Sequence, residues 1–161
     1  MSLDFSPAGV AAPRAIRIRN HAAIEASLTI RNGEQLLLAL VIPIGLLIGG
    51  RLLGGRMGVD PVAFPASVLA LGLWSTSFTS VAIATGFERR YGVLERLSAT
   101  PLGHSGLLAG KAMGITLIAT GQFLLLGGLA QALGWRITPD ALQWPMMLVG
   151  VPLAMFVFAN L

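Results

Sequence analysis

Few side chains in this sequence combine a reactive type with a useful spacing. Neither His21 nor His104 has an acidic partner that reads as a metal ligand, so no metal site is expected. Cysteine is absent, which removes thiol nucleophiles, zinc knuckles and disulfides. Glu88 and Glu95, seven residues apart, would share one side of a helix. With Arg89 and Arg96 beside them they read as solvated charge rather than as an acid–base pair. Gly103-His104-Ser105-Gly106 has the pattern of an intramembrane serine nucleophile, but a facing helix offers no base. Gly106 to Lys111 looks like a shortened phosphate loop. It has three residues between its glycines where four are needed, and Ala112 where Ser or Thr would bind magnesium. No catalytic residue, no cofactor and no ATP site is expected, and the chain is not read as an enzyme.

The uncharged runs carry hydroxyls instead: Ser75, Thr76, Ser77, Thr79, Ser80 and Thr85. Their helical angles scatter. They bond either their own backbone and neighbouring helices or a polar pathway. No Asp, Glu, Lys or Arg interrupts 61–87, 112–135 or 141–161. An ion-coupled transporter keeps an ionisable group at depth, so a self-powered pump is argued against.

The elements that would position these residues follow from composition. Hydrophobic residues make up 55% of the 161 and charged residues 11%. A soluble domain carries about 25% charged residues, so this chain cannot cover a water-facing surface with charge. The net charge of +4 comes from short cationic clusters between apolar runs, which points to orientation in a membrane and not to nucleic acid. A helix needs about 20 apolar residues to cross a hydrocarbon core. Four spans are expected, at about 35–55, 61–87, 112–135 and 141–161, and the fold is all-α and polytopic. The first span reaches full length only if Arg51 snorkels to the interface. Pro43 should kink it, and Gly45 and Gly49 permit close helix contact. No cleavable leader is visible in the first 34 residues, so this span is read as a retained anchor.

Segments 1–34 and 88–111 hold eight Lys or Arg, and 51–60 and 136–140 hold three. That asymmetry places the N-terminus and the 88–111 loop in the cytoplasm of a multi-pass cell-membrane protein. Residues 1–34 form a cytoplasmic arm. Within it, Arg14 to Arg31 reads as an amphipathic helix in the interface. Its broad apolar side holds Ala15, Ile16, Ile18, Ala22, Ala23, Ala26 and Ile30. Arg17, Asn20, His21, Glu25 and Arg31 lie opposite. Glu88 to Ser98 reads as a second short helix, with Tyr91, Leu94 and Leu97 on one side, ended by Pro101. Such a helix lies on lipid or inserts its apolar side into a groove of a cytoplasmic partner.

The stretch Phe87 to Leu102, FERRYGVLERLSATPL, followed by Leu107 to Lys111, resembles the permease subunits of ABC type-2 transporters, the daunorubicin-exporter-like group among them. Glu88, Gly92, Leu94, Leu97, Pro101, Gly110 and Lys111 occupy the places of that family's first cytoplasmic loop, and Arg31 to Pro43 resembles its entry into span one. The resemblance implies an exporter permease for drugs, lipids or glycans, paired with a second permease chain as homodimer or heterodimer. It also implies that 88–111 carries a coupling helix docked on a separate cytoplasmic ABC ATPase subunit. Glu88, Arg89, Arg90, Tyr91, Gly92, Leu94, Glu95, Arg96, Leu97 and Pro101 would make that contact. The family has six spans and four are read here, so a truncated permease is expected. A small membrane scaffold or assembly protein is the alternative.

Overall fold

The structure is a computed structural model. It describes residues 11–135, and residues 78–84 by their backbone only. The expected span at 141–161, the link before it and the start of the arm lie outside the described residues. Within them every regular element is helical: α1 (Arg14–Arg31), α2 (Gly33–Met57), α3 (Ala63–Trp74), a π-helical turn (Ser75–Thr79), α4 (Ser80–Arg90), α5 (Val93–Ser98) and α6 (Gly103–Ala132). Two of these, α2 and α6, are long and apolar enough to cross a membrane.

Residue pairs along α6 give the arrangement. Ile18, His21 and Ala26 of α1 meet Gly106, Gly110 and Gly114, so α1 runs in the same direction as the first half of α6. Asn32 then breaks the chain, and its Oδ1 accepts the Gln35 amide to start α2. Helix α2 continues beside the second half of α6, with Ala39 at Gln122 and Arg51 at Leu133. Helix α3, the π-turn and α4 then form one unbroken helical run from 63 to 90.

At the Arg51 end lies an apolar core of Leu47, Val68, Leu69, Leu126, Ala130 and Trp135. The Trp135 indole donates to Leu47 O at 3.2 Å and its ring lies 5.5 Å from Phe64. The Phe64 ring is seated against Gly50, where any Cβ would collide with it. The sequence pointed to Gly45 and Gly49 as the contact residues, but both face open space. Arg51, expected to snorkel, donates through Nε to Leu133 O at 2.9 Å and so satisfies a carbonyl at the end of α6.

Pro43 is buried inside α2. It has no N–H, so the carbonyl four residues back, Ala39 O, loses its helical partner. Gln122 Nε2 donates to that oxygen at 2.8 Å and reaches Gly72 O at 3.3 Å. Thr76 Oγ1 in the π-turn donates to Gln122 Oε1. One amide thus joins α2, α3, the π-turn and α6.

Candidate functional site

The other end of α6 carries the charges. Glu25 on α1, Glu88 on α4 and Lys111 on α6 come from three helices and meet at one point. Lys111 is 5% exposed. Its Nζ lies 2.5 Å from Glu88 Oε1 and 3.2 Å from Glu25 Oε1. An ammonium this deep is stable only when paired, and two carboxylates supply the pairing. His21 Nε2 lies 3.4 Å from the same Glu25 oxygen without forming a hydrogen bond.

Small residues let this cluster close. Gly106, Gly110 and Gly114 recur every four residues, which puts them on one face of α6. A Cβ on Gly110 would stand 2.5 Å from His21 Cδ2, and one on Gly114 would stand 3.0 Å from Ala22 O. The spacing that looked like a remnant phosphate loop is therefore a packing seam inside a helix. Both histidines and the serine motif resolve similarly. Ser105 accepts from Arg14 Nη2 at 3.0 Å, and His104 is exposed. Among the described residues no set of His, Asp or Glu is gathered to hold a metal ion.

Helix α1 has the expected limits, and its facing meets the expectation in part: Ala22 and Ala26 of the apolar side pack inward, but so do His21 and Glu25 of the polar side. Ile16, Ile24, Leu28 and Ile30 remain exposed, Leu28 at 60%. The charge on Lys111 explains the inward turn of the polar edge, since burying it requires Glu25 to face α6.

The loop residues divide in two. The helix expected over 88–98 is broken at Gly92, whose φ of 64° is open to glycine at little cost. Helix α4 ends at Arg90 and α5 spans Val93–Ser98. The break separates Glu88, which turns in to Lys111, from Glu95, which is exposed. Arg89, Arg90, Tyr91, Arg96 and Pro101 are exposed as well, and Tyr91 stacks on Phe87 with ring centroids 6.4 Å apart. Leu94 and Leu97, expected to be offered to a partner, are half-buried. Residues 103–111, expected as loop, already belong to α6.

The sequence reading missed the Glu25–Lys111–Glu88 cluster and the Gln122 clasp. The signals were present: a glycine every fourth residue, and a proline whose orphaned carbonyl needs a donor. Comparison with known proteins adds nothing to this geometry: no family model, curated protein or solved structure matches the chain.

Proposed function

We propose that this chain is a membrane-spanning permease subunit of an ATP-driven exporter of the ABC type-2 class. The observation that carries the reading is α5. It is a short helix with Arg89, Arg90, Tyr91, Glu95 and Arg96 exposed around it, set between two long helical stretches at the charged end of the molecule. The sequence resemblance falls on the same stretch, at Glu88, Gly92, Leu94, Leu97 and Pro101.

In this reading α2, the run from 63 to 90 and α6 are three spans, and 141–161 is the fourth. The run from 63 to 90 is about 42 Å long at ~1.5 Å per residue, enough for a ~30 Å hydrocarbon core. Helix α6, about 45 Å long, exceeds that core, so its first turns stand in the cytoplasmic headgroup layer beside α1. The exposed isoleucines and leucine of α1 then face the interface, and the N-terminus is cytoplasmic.

The ATPase docks on the Tyr91–Arg96 surface. Its motion reaches α6 through Glu88–Lys111 and α1 through Lys111–Glu25, while a second permease chain, identical or not, completes the pathway. Drugs, lipids and glycans are the substrate classes this reading supports. The test is purification of the tagged chain from its own membranes. The expected result is a stoichiometric ATPase subunit whose recovery falls steeply in Tyr91→Ala/Arg96→Glu. Recovery of the chain without any ATPase would reject the proposal and favour the membrane-scaffold reading.

A further inference from the structure

A recess of about 400 Å³ opens between the first half of α1 and the turn after α5. Arg17, Asn20 and His21 line it from α1, and Thr100 and Leu102 from the turn. Arg17 Nε is shut from solvent and has no acceptor. Among the described residues no carboxylate pairs with Arg17. His21 is 9% exposed, and its Nε2 makes no hydrogen bond. Neither covered atom can be reached from the recess, and His21 Nε2 is turned to Glu25, 3.4 Å away, so the donors open to an acceptor there are the terminal guanidinium groups of half-buried Arg17 and the amide of exposed Asn20.

The local charge favours an anion. Arg14, Arg17 and Lys111 are three cations, against the two carboxylates Glu25 and Glu88. Both carboxylates are already engaged by Lys111 on the α6 side of His21. The recess therefore keeps an unbalanced positive charge at Arg17.

We propose that this recess binds a phosphate group. Arg17 is its principal donor through the guanidinium fork, and Asn20 contributes a further N–H group. A two-pronged guanidinium fork with a second amide donor beside it suits the several oxygens of a phosphate better than the two of a carboxylate. Thr100 donates to Leu97 O and so offers no proton to the ligand. The phosphate is carried by a lipid headgroup or by a soluble molecule. The lipid source rests on the membrane reading above, with exposed Ile24 at the recess to meet the acyl region. The phosphate site itself does not depend on that reading or on any ATPase.

The experiment uses the whole chain in phosphatidylcholine nanodiscs, with phosphatidylglycerol as lipid probe and inorganic phosphate as soluble probe. Native mass spectrometry after transfer to neutral detergent counts retained phosphatidylglycerol, and equilibrium dialysis measures phosphate. The expected result is one phosphatidylglycerol held per chain. Its affinity falls roughly tenfold or more in Arg17→Gln, the loss of one charge-assisted interaction. Arg17→Lys should be intermediate, and Arg19→Gln, at an exposed position outside the recess, should behave as wild type. Phosphate binding that depends on Arg17 without lipid retention would uphold the site and overturn the lipid source. Should Arg17→Gln fail to fold, by circular dichroism, Asn20→Leu takes its place. Binding of both probes that is indifferent to the folded Arg17 and Asn20 variants would overturn the proposal.

Discussion

At its Gly103 end α6 meets α1 and α4 through three glycines, one lysine and two glutamates. At its Ala132 end it meets α2 and α3 through leucines, a tryptophan and backbone carbonyls. The first contact brings backbones close so that a few charges can satisfy one another. The second fills volume, and its polar groups serve to close gaps left by Pro43 and by the end of α6. An apolar interface degrades in proportion to the volume removed. A buried charge cluster fails when any one member is lost and tolerates removal of all members together.

That contrast can be broken experimentally. The largest effect is expected from Lys111→Met, which leaves Glu25 and Glu88 without their cation. Thermal unfolding in nanodiscs should show a loss of about 3–5 kcal/mol. The triple change Glu25→Gln/Glu88→Gln/Lys111→Met should recover most of it. A triple variant no more stable than the single one would show that packing, not charge balance, holds this end together.

At the other end Leu126, 1% exposed, should lose about 2–5 kcal/mol on truncation to alanine, with no partner substitution able to restore it except one that refills the space. Near-neutral behaviour would mean the Arg51 end is less tightly packed than the geometry indicates.

Gln122→Leu lies between the two types. It should cost about 1–3 kcal/mol, because Ala39 O and the Thr76 hydroxyl are left unmet. In a Pro43→Leu background the backbone can again satisfy Ala39 O, so the same change should cost less. A double-mutant cycle measures that difference. Equal costs in both backgrounds would detach Gln122 from the proline.

The smallest effect concerns Asp60, between α2 and α3. Its Oδ1 accepts the amides of Val62 at 2.7 Å and Ala63 at 3.2 Å, and these hold the carboxyl below the usual carboxylate range. A lowered folded-state pKa adds stability above the ordinary carboxylate value, lost as pH falls through the lowered one. Acid titration of unfolding should show this component in the wild type and lose it in Asp60→Asn.

How far these features were legible varies with sequence distance. The limits of α1 were readable because Arg14–Arg31 keeps a helical pattern and Asn32-Gly33 breaks it. The all-helical class followed from the length of the apolar runs. The inward turn of Glu25 was not readable, because it depends on Lys111, 86 residues further along the chain. A wheel drawn on 14–31 alone assigns Glu25 to water. The break at Gly92 was also ambiguous, since a glycine inside a helical pattern can continue it or end it. Leu94 and Leu97 looked available only while 88–98 was treated as an isolated helix. Glu88 was identified as a site residue, but its partner was hidden in a motif read for phosphate.

The π-helical turn at Ser75–Thr79 has a consequence for angular phase. A π-turn holds one residue more than regular α-helix would, and one residue corresponds to about 100° of rotation. Everything after it in the run from 63 to 90 is therefore turned by that offset relative to α3. With α3 seated by Pro65, Val68, Leu69 and Gly72, the offset decides which way Glu88 points three turns later. Deleting one residue within 75–79 would straighten the ladder and leave both ends of the helix, Glu88 included, where they are, whereas winding the same residues as regular α-helix would swing Glu88 about 100° away from Lys111. The extra residue acts as a fixed phase shifter, matching a helix cut to fit an apolar core at one end to a charge that must be met at the other.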